Sequence, residues 1–165
     1  MAIEKVTQTG TGESLKSGFD KYNELCDMVF GTDGTTRYIR VIKVTIEDGT
    51  VSSRIKVCAA SVFNGDAIAA EDNLGASGDT GNFNLDANKS SLHIESGALT
   101  GSVTHVPLAI IERNAGGELV YVQPSCVSSG ITLRFSKNDD SALDLTGHVD
   151  NGSLYVTVLY FTDEA

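Results

Sequence analysis

The sequence has no tryptophan, two prolines and three cysteines in 165 residues, and twelve Lys and Arg against twenty-two Asp and Glu leave a formal charge of −10. Each shortage excludes something. Sugar-cleaving clefts need stacking aromatics beside a carboxylate pair, and the missing Trp removes the best of those platforms. No Lys/Arg cluster is long enough to neutralise a run of phosphates, so nucleic acid is not an expected partner. Cys26, Cys58 and Cys126 are odd in number, widely separated and without a C-x-x-C pair or a Cys/His cluster, which predicts free buried thiols. No apolar run approaches the roughly 18 residues of a membrane-spanning helix, and the leading MAIEKVTQTG lacks the basic and apolar regions of a signal peptide. The expectation is a soluble chain made in the cytoplasm, with no membrane partner.

Catalytic groupings are equally scarce. His93, His105 and His148 each fall in or beside an expected strand, and none has a second His or Cys two or four residues on. Asp66 with Glu71-Asp72, and Asp139-Asp140 with Asp144, miss the EF-hand spacing and read as solvated loop carboxylates. GASGDTG at 75–81 is glycine-rich but has neither the strand-to-helix setting nor the Lys of a phosphate loop. The chain is therefore expected to be no enzyme and to use no cofactor or metal.

What is present begins with residues 11–30, TGESLKSGFDKYNELCDMVF. Leu15, Phe19, Tyr22, Cys26 and Val29 recur at alternating four-three spacing, which sets a narrow apolar stripe on a helix, while Glu13, Lys16, Asp20, Lys21, Glu24 and Asp27 take the other faces. Thr11 is a suitable N-cap, Glu13 suits the positive end of the helix dipole, and Gly31 suits the left-handed stop. A period of 3.5 is that of a coiled-coil seam, so the stripe is a candidate oligomer and attachment surface; a helix packed on its own sheet is the alternative. Polar residues 1–10 read as an arm, giving an N-terminal unit of residues 1–30 ahead of a β domain at 31–165.

The β domain is expected to hold no second helix. RYIRVIKVTIE, 37–47, alternates, with Ile42, Val44 and Ile46 on one face. Asp48-Gly49 predicts a two-residue hairpin into a strand that carries Val51, Ile55, Val57 and Ala59 inward. Residues 64–90 read as a long surface loop with one short strand near Asn82 to Asp86. Strands are then expected around Leu92 and Ile94, over Val103 to Glu112, in GELVYVQP up to Pro124, in ITLRFS, and briefly over Ala142 to Leu145. Asp150-Asn151-Gly152 predicts a second hairpin, into SLYVTVLYFT. Short strands separated by turns predict a mainly β chain, an antiparallel β-sandwich of jelly-roll type preceded by the arm and one amphipathic helix.

Two of these strands are apolar on both faces. Leu154, Val156, Val158 and Tyr160 alternate with Tyr155, Leu159 and Phe161, and Val106, Leu108 and Ile110 alternate with Val103, Ala109 and Ile111. An antiparallel sheet with one wet face shows a polar row there, so the pattern predicts that something covers the second face: the leading helix or a neighbouring subunit.

Gly12-Glu13-Ser14, then Phe19, Lys21 and Asn23, resembles an N-terminal signature of tailed-bacteriophage fibre and virion-appendage proteins, with Gly18 and Tyr22 departing from the usual Ala and aliphatic residue. The match covers residues 11–30. It implies that residues 1–30 fasten the protein to the particle, and hence a structural virion protein made in the host cytoplasm: a capsid decoration or cement protein, or a head fibre. The implied partners are other copies of itself, as trimer or dimer, and the major capsid or another virion protein. The alternative is a tail-fibre or adaptor component that binds a host-surface glycan through the 64–90 loop, with Asp79, Phe83 and Asn84 as candidate contacts.

Overall fold

A computed structural model of the chain describes residues 38–63, 65–75, 81–99, 101–114, 119–127 and 129–163. The expected arm and helix, with Leu15, Phe19, Tyr22, Cys26 and Val29, lie outside the described residues, as does Asp79. The strands are β1 (Tyr38–Asp48), β2 (Ile55–Ser61), β3 (Ala67–Leu74), β4 (Phe83–Leu85), β5 (Ser91–Glu95), β6 (Val103–Asn114), β7 (Val120–Val127), β8 (Gly130–Lys137) and β9 (Leu154–Thr162); a short helix, α1 (Leu145–His148), precedes β9. All pairings are antiparallel. They make a five-stranded sheet, β3-β2-β1-β9-β6, and a four-stranded sheet, β4-β5-β8-β7.

Alternation builds the core. Ile42, Val44 and Ile46 of β1, Ile55, Val57 and Ala59 of β2, and Leu154, Val156, Val158 and Tyr160 of β9 point inward from one sheet. From the other sheet Phe83, Leu92, Ile94, Ile131, Leu133 and Phe135 join the same cluster. Each large aliphatic side chain so buried contributes about 1.5–3 kcal/mol, and slipping any strand by one residue would turn its whole inward set to solvent. That penalty fixes the register.

Helix α1 closes one end of the core with Leu143, Leu145 and Val149. Asp144 caps it, accepting from the Thr146 backbone N–H at 3.0 Å and the Thr146 hydroxyl at 2.7 Å. A second side-chain device ties the sheets together. The Glu71 carboxylate on β3 accepts from the backbone N–H groups of Asn82 and Phe83, so it caps the start of β4 across the gap between the sheets. A Cβ on Gly81 would lie 2.4–2.7 Å from that carboxylate, so only glycine lets it approach.

Several expectations need correction. The β1–β2 hairpin closes through residues 49–54, with Asp48 opposite Ile55 and the Gly49 N–H donating to the Arg54 carbonyl. The two-residue turn is absent, and Val51 is exposed in that loop. The reading of 64–90 as mostly loop missed β3, whose pairing with β2 is bulged twice and whose AIAAEDNL lacks a β-branched alternation. Strand β7 runs on through Pro124, which is tolerated because β7 is an edge strand of its sheet. Ala142 makes only an isolated bridge to Ser136, and Leu145 begins α1 where a strand was expected. Val149–Asn151 form a 3-10 turn leading to β9, which pairs with β1 and β6 and not with the preceding strand. Cys126 is exposed and Cys58 half-buried, so neither is the buried thiol expected.

Candidate functional site

The outer face of the five-stranded sheet carries the most unusual surface in the described residues. Because even-numbered positions of β1 point inward, Ile39 and Val41 point out. Strand register then aligns them with the outward residues of the neighbours. Ile39 stands opposite Phe161, and Phe161 opposite His105, whose ring stacks on it with centroids 6.4 Å apart. One step along, Val41 stands opposite Leu159 and Leu159 opposite Leu108. Val62 extends this second row on the far side, its N–H donating to the Val41 carbonyl at 3.0 Å. Ile110 follows Leu108 on β6. Ile39, Val62, Leu108 and Ile110 are each 46–50% exposed, and Phe63 beside them is 77% exposed. Scattered exposed apolar side chains are ordinary; a band across β6, β9, β1 and the Val62 turn is a candidate interaction surface.

The band ends in a polar rim. Lys43 pairs with Glu112 at 2.9 Å, and the Thr157 hydroxyl donates to the same carboxylate. The Thr157 hydrogen bond and the Lys43 charge hold the Glu112 carboxyl below its usual range. The Lys43 ammonium also lies 4.8 Å from the centre of the Tyr155 ring. Next to the band, at the end where the chain enters β1, a recess of about 300 Å³ opens between Ile39, Val41, Phe63, Ile68, Asp66 and Tyr160. An apolar centre with a charged rim is the anatomy of a protein-protein contact.

The double-sided apolar pattern of the sequence thus resolves into two layers, with one revision. Leu154, Val156, Val158 and Tyr160 are buried, whereas Tyr155, Leu159 and Phe161 form the outer layer. On β6 the expected set of Val106, Leu108 and Ile110 is split. The ladder shifts register between His105 and Leu108, around Pro107, which has no N–H to donate, so Val106 turns into the core while Leu108 and Ile110 stay outside.

Of the candidate glycan contacts, Phe83 and Asn84 face opposite sides of β4. Phe83 is fully buried in the core, so no ring from it faces a ligand. Asn84 is half-buried on the outer face of the four-stranded sheet, where its Nδ2 donates to Glu95 at 2.6 Å. That face holds a polar group with no signal in the sequence: His93 Nδ1 lies 3.0 Å from the Thr132 hydroxyl, and Nε2 lies 3.2 Å from the Ser129 hydroxyl and 3.5 Å from Glu95. Two hydroxyls, a histidine and a carboxylate meet here. Glu95 and Ser129 share Nε2, while the Thr132 hydroxyl on Nδ1 belongs to the residue paired opposite His93 in the β5–β8 ladder. His148 is engaged by Asn114 beside α1. Among the described residues no group of three or more His, Cys, Asp or Glu is placed to hold a metal ion, and no helix is long and apolar enough to cross a membrane. No protein-family model, curated protein or solved structure matches the chain.

Proposed function

We propose that this chain is a non-enzymatic structural protein of a tailed-phage virion, a capsid decoration or cement protein or a head fibre, built to bind neighbouring virion subunits. The observation that carries the reading is the apolar band of Ile39, Val41, Leu159, Leu108 and Ile110 with its Lys43–Glu112 rim. A surface of that kind costs free energy in water and is covered in use. The signature at Gly12-Glu13-Ser14, Phe19, Lys21 and Asn23 supports the virion as the setting. In this reading the two sheets are the faces of a β-sandwich, and the nested pairings of β1 with β9 and of β5 with β8 favour a jelly-roll relative, from which the β1-β2-β3 meander departs.

The glycan-binding alternative loses support because Phe83 offers no stacking ring. Mass spectrometry of purified particles, produced from the genome that encodes the chain, tests the proposal: the chain is expected as a stoichiometric component that resists salt washing. Its absence from washed particles would overturn the reading.

A further inference from the structure

The structure leaves an apolar band in search of a cover, and the sequence leaves an apolar stripe in search of a seat. We infer that the two meet between copies: residues 11–30 of one chain seat their stripe on the outer band of the five-stranded sheet of a second copy. The inference rests on the assembly reading and names the partner that reading requires.

Size supports the match. As a helix, the expected stripe from Leu15 to Val29 would rise about 21 Å, and the band crosses β6, β9, β1 and the Val62 segment bonded to β1, about 14 Å between the outer two backbones before side chains are counted. Position supports it too. The described chain begins at Tyr38, beside Ile39 at one end of the band. Residues 31–37, GTDGTTR, reach at most about 24 Å, enough to leave one sheet and arrive at a neighbouring one. The competing routes to pairing are blunted. The edge strands β6 and β7 carry Pro107 and Pro124, β3 is bulged, and β4 has only three residues, so edge-to-edge addition of strands is disfavoured and the face is what remains. Between covering its own band and a neighbour's, assembly decides: a chain that covered itself would have little apolar surface left to offer.

Two full-length chains test this when co-expressed, one keeping Cys26 as its only thiol (Cys58→Ser, Cys126→Ser), the other cysteine-free except for Leu108→Cys. A short bismaleimide is then added and light scattering is run on the same sample. The expected result is a covalent two-chain product joined from 26 to 108, on a protein that scatters as an oligomer. A third chain carrying both thiols controls for self-covering. If the join forms only there, at single-chain mass, the inference is overturned; an oligomer in that sample leaves the assembly reading standing, and a monomer removes both. No join in any sample overturns the inference as well.

Discussion

Leu108 of β6 stands directly across from Leu159 of β9 on the outside of the sheet, the first about half exposed, the second half-buried beneath its neighbours. Two leucines paired on a wet face gain little within one molecule. Leu108→Lys is therefore expected to change unfolding free energy by less than about 1 kcal/mol, since it removes no buried contact, while it abolishes self-association. Urea titration and sedimentation velocity on the same samples check both halves.

Phe83 behaves oppositely. It is fully buried between the sheets, so Phe83→Ala is expected to cost about 3–5 kcal/mol through lost burial and the cavity left behind. Chemical denaturation measures it, and a cost under about 1 kcal/mol would mean that the ring is not in the core.

The Glu71 clamp and Gly81 are two parts of one device. Glu71→Gln keeps an acceptor but loses the charge on bonds to two backbone N–H groups, and Gly81→Ala pushes the carboxylate away from them. Each is expected to cost about 1–2 kcal/mol, and the double variant clearly less than the sum, because either change alone removes the same interaction. A double-mutant cycle reads the coupling, with faster amide exchange at Phe83 as the local signature.

Acid and alkali should act through different residues. Burial pushes the Asp144 carboxyl up, but the Thr146 hydroxyl and N–H, the Gly147 N–H and Lys89 outweigh it and hold the group below the usual carboxylate range. A carboxyl depressed in the folded state adds stability that is present above its unfolded pKa, near 4, and is lost as pH falls through the folded value. Asp144→Ala should cost about 1 kcal/mol at pH 7 by loss of the cap, and less as the pH is lowered below about 4. Tyr160 is the converse: burial raises its phenol above 10.0 despite the Arg40 charge. A raised pKa adds stability present below the unfolded value and lost as pH rises through the folded one. Tyr160→Phe should flatten the fall in stability above about pH 10, read by thermal melts across pH.

Strict alternation made β1, β2 from Ile55 onward, β5, β8 and β9 legible in the sequence, because burial on one face writes a period of two into the residues. Strand β3 was hidden for a physical reason: bulges break its period, and alanines with acidic residues carry little β signal. Helix α1 was hidden by brevity, since four residues hold too little periodicity to register and only the Asp144 cap betrays it. A proline at 107 fits an edge, a bulge or a strand end alike, and which side of the bulge Val106 takes depends on the partner strand. The apolar outer layer was foreseeable from Tyr155, Leu159 and Phe161. The His93, Ser129 and Glu95 grouping was not, because β5 and β8 bring together residues distant in sequence.

The outer band as an assembly surface is tested most directly by multi-angle light scattering of the full-length chain beside its Leu108→Lys, Leu159→Lys double variant, over a hundredfold range of concentration. The predicted result is a wild-type mass that is a small multiple of 17.4 kDa, falling to one chain in the variant. A wild-type mass of one chain throughout, or a multimer that survives both lysines, would contradict it.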